Sequence, residues 1–337
     1  MKILVTGSTG FIGSQLCHAL ISAGHQVRAF HRPSSSLLAL QGLPVEHAIG
    51  DITAMQSLQS AMQGIEVVFH AAALLGPERH PGEMAAVTVA GTRNVLNAAA
   101  SAGVRRLVHT SSVAALGVPP PPHNANSTPF LMDETHTWNY RSAWWPYGSA
   151  KYQAELEVQR AVAKGLDVVI VNPAIVVGAG DLNRVSGNII IHVAKGHVPV
   201  SIAGGLNIVH IDTVVAGHLA ALERGKRGER YILAGENLTH QRFLEITASV
   251  TGAPPPRGAL PVSVARPLAV PLQVLSDVMR VVSNGLPIRG DMFRLAGYYF
   301  YYETTRMVDQ LGVQPGYSVR QAVEEAYHWY QSQGMLK

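Results

Sequence analysis

Lys2-Ile3-Leu4-Val5-Thr6-Gly7-Ser8-Thr9-Gly10-Phe11-Ile12-Gly13 is the stretch that decides the fold. Ile3-Leu4-Val5 makes a short apolar strand, and Phe11 to Ala23 reads as a helix closed by Gly24. Three glycines spaced G-x-x-G-x-x-G stand between them. Glycine permits a tight turn and lets backbone N–H groups approach a pyrophosphate, which then lies at the positive end of the helix. Gly7, Thr9, Gly10, Phe11, Ile12 and Gly13 are therefore expected to line a dinucleotide site. The spacing differs from the more familiar G-x-G-x-x-G, and ordinary turns also use glycine. The placement between a strand and a helix is what gives this triplet meaning.

Outward from the motif, apolar strands alternate with helices. Gln26 to Phe30 is a strand, a helix lies around Met55 to Met62, and Val67 to Phe69 is the next strand. A helix over Val89 to Ala102, a strand at Leu107 to His109, a helix from Tyr147 to Lys164 and a strand at Val168 to Val171 follow. Short strands without polar alternation are buried on both faces, as in a parallel sheet. The pattern predicts an α/β fold: a Rossmann-type, doubly wound parallel sheet with a smaller C-terminal substrate-binding lobe. Residues 1–174 with 206–235 are assigned to the dinucleotide-binding part, and 175–205 with 236–337 to the lobe. The piece from Leu206 to Leu222, with Tyr231-Ile232-Leu233 after it, is expected to return to the main sheet. Val319 to Gln331 reads as an amphipathic helix with Val319, Ala322, Val323, Ala326, Tyr327 and Tyr330 on its apolar side. Pro119 to Trp145 reads as a long loop.

Composition narrows the class. The chain is 47% hydrophobic and 14% charged, which suits a packed enzyme and argues against disorder. A formal charge of +4 is spread out; its densest patch, Arg224 to Arg230, contains an acid and reads as a solvated loop rather than a nucleic-acid site. Cys17 is the single cysteine, so neither a disulfide nor a cysteine cage for a metal can form; among apolar neighbours it reads as a small buried hydrophobe. The fifteen histidines are scattered without metal-ligand spacing, and no metal is expected. The N-terminus enters a strand at once, without signal-peptide features, and the most apolar stretch, Leu268 to Val282, is broken by Pro271, Asp277 and Arg280. A cytoplasmic protein with no membrane partner is expected.

The second strand ends in Ala29-Phe30-His31-Arg32-Pro33-Ser34-Ser35, with no acid between Gln26 and Leu40. An acid there would hold both ribose hydroxyls of NAD, whereas a guanidinium pairs with a 2′-phosphate. Arg32, with Ser35 beside it, points to NADP(H) as the preferred cofactor and NAD(H) as the second choice. Asp51 and Ile52 follow Gly50; Asp51 either accepts from the adenine amine or caps the next helix.

Tyr147-Gly148-Ser149-Ala150-Lys151 sets a phenol and an ammonium at i and i+4, on one helix face. An ammonium nearby is expected to lower the phenol pKa, fitting Tyr147 to exchange a proton with a hydroxyl or carbonyl. The strand Leu107 to Ser112 ends in three hydroxyl residues, Thr110, Ser111 and Ser112, any of which could hold the substrate oxygen. Trp138, Tyr140, Trp144 and Trp145 are candidates to line an apolar pocket, and most of the run Tyr298 to Tyr302 is expected to pack against the sheet.

Taken together these motifs resemble the extended short-chain dehydrogenase/reductase family, over essentially the whole chain. Thr6 to Gly13 is similar to its glycine motif and Tyr147 to Lys151 to its active-site motif. His70-Ala71-Ala72-Ala73 resembles the segment after the fourth strand, beside the cofactor, and Gly91 to Asn94 a helix motif. Asn172-Pro173-Ala174 resembles the turn near the nicotinamide, which the family extends to Val176. The resemblance places the catalytic serine on Ser112, gives Lys151 the nicotinamide ribose, and implies a homodimer. Within the family, Arg32, Leu206 to Asp212 and Tyr301-Tyr302 look most like the dihydroflavonol-4-reductase-like branch, which includes proteins called hopanoid-associated sugar epimerases. Where the family often has asparagine this chain has Thr88, so its proton relay is expected to differ or to run through water. The expectation is an NADP(H)-dependent oxidoreductase that reduces the carbonyl of a small organic substrate by hydride transfer, Tyr147 acting as general acid, with a carbonyl compound or its alcohol as the small-molecule partner. A nucleotide-sugar epimerase or dehydratase with retained NAD(P), and a non-catalytic NADP sensor, are the alternatives.

Overall fold

The structure, a computed structural model, describes residues 1–74, 81–121, 128–282 and 293–336. Its strands in chain order are β1 (Lys2–Thr6), β2 (Gln26–His31), β3 (Glu46–Ile49), β4 (Val67–His70), β5 (Arg106–Thr110), β6 (Leu131–Met132) and β7 (Val168–Pro173). Then come β8 (Ile175–Val177), β9 (Ser201–Ile202), β10 (Gly205–His210), β11 (Arg230–Leu233), β12 (Glu236–Thr239), β13 (Ala259–Leu260) and β14 (Tyr301–Tyr302). The main sheet runs β3-β2-β1-β4-β5-β7-β11 and every pairing in it is parallel. The chain starts at β1, builds outward to β3, then crosses back to β4. The crevice beyond the carboxyl ends of β1 and β4 is thus the point where ligands of open parallel sheets bind.

Both faces of this sheet are covered, which is why its central strands carry apolar residues toward both sides. Ile3, Val5, Phe69, Val108 and Val171 face the helices Phe11–Ser22 and Ile211–Arg224 through Leu16, Leu20 and Val214. Leu4, Val68, Leu107 and Ile170 face the helices Met55–Ala61, Gly91–Ser101 and Pro146–Ala163 through Leu58, Val95 and Val158. Cys17 is fully buried in the first of these cores, and burial pushes its thiol up to about 12, as suits a small hydrophobe.

A separate core gathers Ile190, Ile208, Leu238, Phe243, Val323 and Tyr330. Its C-terminal helix, Val319–Ser332, buries Val319, Ala322, Val323, Ala326 and Tyr330, as its periodicity predicts, and Ser318 with Gln321 forms a capping box at its start. One expectation fails here. The strand at Leu206 to His210 does not join the main sheet; it pairs with β8 and β12, and only β11 returns, beside β7. An apolar strand buries itself equally well in either sheet, so hydrophobicity could not distinguish them. The patch Arg224 to Arg230 is an exposed turn between the helix Ile211–Arg224 and β11, the solvated loop its sequence suggests, with its arginines tied back to the fold. Arg224 donates to the Leu311 carbonyl at 2.7 Å, Arg227 to that of Val162, and Arg230 opens β11 beside Glu155.

The Leu268 to Val282 stretch belongs to a helix over Val262–Val282 that contains Pro267 and Pro271. Among the described residues no helix is long and apolar enough to cross a membrane. Part of the expected loop before Tyr147, residues 122–127, lies outside the described residues. The remainder forms β6, paired with β14, and a short 3-10 turn over Ser142–Trp144.

Candidate active site

Gly7 has φ +69°, a left-handed conformation that favours glycine, and an added Cβ would lie 2.7 Å from the Ala72 nitrogen. Gly7 thus packs directly on Ala71 and Ala72 beyond β4, across the switch point of the sheet. Gly13 approaches the same turn from the helix: a Cβ there would stand 2.1 Å from the Gly7 carbonyl oxygen. Gly10 caps the helix Phe11–Ser22 without a side-chain cap and without an acid in the first turn. Bare helical N–H groups facing a glycine-walled hollow fit a pyrophosphate. Ala71, Ala72 and Ala73 are half-buried along the opposite wall.

At the end of β2, His31 is buried while Arg32 is exposed. Among the described residues no carboxylate pairs with Arg32. Ser35 closes a turn on the Arg32 carbonyl at 3.1 Å. Asp51 accepts from the backbone N–H and the hydroxyl of Thr53 at 2.8 and 2.7 Å. It does not cap the next helix, whose N-cap is Ala54 without any side-chain cap; the carboxylate closes a local turn instead. Ile52 is buried against Gly91. Pro173, Ala174 and Val176 are buried where β7 passes into β8, the last two in the core that holds Phe11.

The helix Pro146–Ala163, begun by proline at its first turn, carries Tyr147 and Lys151. Lys151 is buried and its Nζ donates to the Thr110 carbonyl at 3.0 Å. The three hydroxyls at the end of β5 diverge. Thr110 hydrogen-bonds His218 Nε2 at 2.8 Å, and Ser111 donates to Glu155 at 2.5 Å. Ser112, whose oxygen accepts from the Ala114 N–H at 3.2 Å, is the one of the three that interacts with the Tyr147 phenol.

The expected lowering of the Tyr147 pKa is not what the structure shows. Burial raises it, opposed by the Ser112 hydrogen bond, while the Lys151 ammonium is turned toward the Thr110 carbonyl. Desolvation of a phenolate outweighs a cation aimed elsewhere. Burial also brings Lys151 down to about 8, against the opposing pull of Glu155. A pH dependence follows with a definite sign. If the charged lysine is the working form, kcat/KM, which reports the free enzyme, should fall as pH rises through about 8. A limb only above pH ~10 would assign the titration to a phenol instead.

Beneath these residues runs a polar layer. Thr92 donates to the Thr88 carbonyl at 2.6 Å, so its oxygen accepts from His70 Nε2 at 3.0 Å, leaving His70 Nδ1 to accept from Thr6 at 2.7 Å. His70 is held neutral, near 3, by burial and then by Lys151. Thr88, in the position where the family often has asparagine, lies in a π-helical turn over Ala85–Ala90, and its hydroxyl accepts from the Leu74 N–H at 3.4 Å. Glu155 and Asn172 complete the layer. Sequence reasoning passed over Glu155, although a carboxylate at i+4 from Lys151 on the inward face was the available signal.

The aromatic residues before Tyr147 form a wall beside it. Trp138 stacks on Tyr152 at 5.9 Å and lies 6.0 Å from Trp145, which meets Phe300 at 5.7 Å. Tyr140 bridges Trp144 and Tyr298. A Cβ on Gly148, next to Tyr147, would touch both Trp138 and Trp145. Phe300 and Tyr298 therefore contribute to this wall rather than packing only on the sheet.

A parallel sheet with a glycine cradle at its switch point and a Ser-Tyr-Lys constellation beside it defines a Rossmann-fold oxidoreductase of the short-chain type. Residues 3–234 match the NAD dependent epimerase/dehydratase family, and the chain belongs to it. A Synechocystis sp. protein carrying the name of a dihydroflavonol 4-reductase is 36% identical over 99% of this chain and 95% of its own. Sterol demethylase protein B of Methylococcus capsulatus is 34% identical over the full length of both. The crystal structure of gox2253 superposes with a TM-score of 0.84 at 34% identity, covering 99% of each chain.

Proposed function

We propose that the protein is an NADP(H)-dependent carbonyl reductase acting on an apolar, small-molecule ketone or the corresponding alcohol. The observation that carries this reading is Tyr147, hydrogen-bonded to Ser112 with its phenol held protonated, the state that donates to a carbonyl oxygen. The nicotinamide, when bound, supplies the hydride. Ser112 polarises and orients the carbonyl, Tyr147 delivers the proton to its oxygen, and Lys151 supplies positive charge beside both and holds the ribose. The aromatic wall from Trp138 to Phe300 suits an apolar ring or chain better than the charged diphosphate of a nucleotide sugar. A relative named as a ketoreductase points the same way: it comes from Stigmatella aurantiaca, is named for a farnesyl-bearing quinoline oxide and is 31% identical over 95% of this chain. A panel of alkyl, polycyclic and flavonoid-like ketones should include one that consumes NADPH stoichiometrically. NAD that copurifies and turns over nucleotide sugars without net oxidation would identify an epimerase instead.

The preference for NADP rests on Arg32. Replacing it with alanine should weaken NADPH by about 10–100-fold, the loss of one charge-assisted phosphate contact. NADH should change by less than about threefold, because its ribose bears no phosphate for the guanidinium to meet. Fluorescence titration with both cofactors checks this, and equal effects would reject the assignment.

A further inference from the structure

The reductase reading uses Ser112, Tyr147 and Lys151 and leaves a buried carboxylate, Glu155, without a role. Glu155 is 3% exposed and lies one turn beyond Lys151, so Tyr147, Lys151 and Glu155 form an i, i+4, i+8 row on the buried face of one helix. Its Oε1 accepts from Ser111 Oγ at 2.5 Å and from Asn172 Nδ2 at 2.7 Å. Asn172 Nδ2 also donates to the main-chain carbonyl of Ser112 at 2.9 Å. One oxygen thereby ties the end of β5 to the end of β7 at the position from which Ser112 is presented. The other oxygen, Oε2, has Arg230 Nη1 of β11 at 3.5 Å, and among the described residues neither atom has a hydrogen bond.

A carboxylate taken out of water is costly unless it is paired and hydrogen-bonded, so a buried glutamate here calls for an explanation. A helix needing only to pack would carry an apolar residue at this point. The charge has two neighbours of opposite sign, Arg230 in close contact and Lys151 on its own helix, whose protonation it supports. Among the described residues, the other titratable groups facing Lys151 work against the ammonium or are neutral. His70 comes from β4 and His109 from β5; both are buried, and a proton on either would repel Lys151. Tyr147, on the same helix, stays a neutral phenol.

We infer that Glu155 is a positioning residue of this site: its carboxylate fixes the strand end that presents Ser112 and supplies the negative charge that holds Lys151 as an ammonium. It touches neither substrate nor cofactor and acts through those two residues. The inference takes the working roles of Ser112 and Lys151 from the proposed function. Its decisive test needs no substrate.

That test is the titration of Lys151 in the free protein, followed by NMR of side-chain-labelled lysine and assigned by loss of the signal in Lys151→Met. Glu155→Gln keeps the shape and an acceptor oxygen but removes the charge, and should move the Lys151 midpoint down by about 0.5 unit or more. Arg230→Met removes the competing cation and should move it up. A purely structural glutamate would leave the midpoint unmoved in Glu155→Gln. If Glu155→Gln does not fold, as thermal melting would show, the Glu155 carboxyl followed by NMR in the wild-type protein decides: one that stays protonated at neutral pH supplies no charge and overturns the inference. A midpoint unmoved within about 0.2 unit overturns the inference. If both midpoints move as expected while no ketone is turned over, the reductase reading fails and the role of Glu155 stands.

Discussion

Replacing Tyr147 by phenylalanine should lower kcat by about a thousandfold, within the range that a positioned general acid contributes. Converted at ~1.4 kcal/mol per tenfold, that is about 4 kcal/mol of barrier. The variant removes one oxygen and leaves the ring, its packing and Lys151 in place. Among the described residues, the only partner the structure assigns to the phenol is Ser112. Losing one neutral hydrogen bond at a half-buried serine costs only about 1 kcal/mol of stability, so the fold should persist. NADPH affinity should change by less than about threefold, because the glycine turn proposed to cradle the pyrophosphate belongs to other elements, between β1 and the helix Phe11–Ser22. The measurement is turnover alongside a fluorescence titration of cofactor. Turnover within about tenfold of wild type would take the proton donor away from Tyr147. A parallel loss of cofactor binding would make the residue part of the binding site instead.

The contrast between this tyrosine and its neighbours shows what a sequence carries. The glycine triplet, Tyr147 and Lys151 were legible because each depends on local geometry: a turn, a helix start, a spacing of four. The pKa of Tyr147 was not. Sequence placed a cation near the phenol, but the sign of the shift depends on how much water the fold removes and where the ammonium points, and both are tertiary facts. Glu155 escaped for the same reason, since its partners lie on β5, β7 and β11, tens of residues away in the chain. Thr110, Ser111 and Ser112 are alike as hydroxyls in the sequence, because what separates them is their neighbours, His218 for Thr110 and Glu155 for Ser111.

The fold shows the same division. Strands buried on both faces announced themselves as apolar runs, whereas β3 at the sheet edge, with three of its four residues exposed, carried no such signal and went unread. Leu206 to His210 was recognised as a strand but given to the wrong sheet. Register and partner choice depend on what the rest of the chain leaves unpaired, here β8 and β12, and hydrophobicity does not encode that.

The second large effect is expected at Gly13. Gly13→Ala places a methyl 2.1 Å from the Gly7 carbonyl oxygen and 2.7 Å from the Gly7 carbonyl carbon. No rotamer relieves this, because both parties are backbone, so the first turn of the helix must move away from the glycine loop. Overpacking of this kind typically costs about 1–3 kcal/mol, and in a chain of this length Tm should drop by about 1–4 °C. The functional loss should be larger. Phosphate oxygens need several N–H groups of one helix end converging on one point, and a displaced turn loses contacts worth about 1.5–3 kcal/mol each. Two such contacts amount to at least about 100-fold in affinity, for NADPH and NADH alike. That uniformity separates Gly13 from Arg32, whose removal should discriminate between the two cofactors. Gly24→Ala provides the control for stability. Gly24 closes the same helix at φ +79° with nothing within 4 Å of an added Cβ, so it pays only the left-handed strain of about 1–2 kcal/mol. If Gly24→Ala melts early yet binds cofactor normally while Gly13→Ala loses binding, the cradle lies at the start of this helix. Gly13→Ala with wild-type affinity would remove the helix start from the cofactor site, and with it the reason for reading Gly7 to Gly13 as a pyrophosphate cradle.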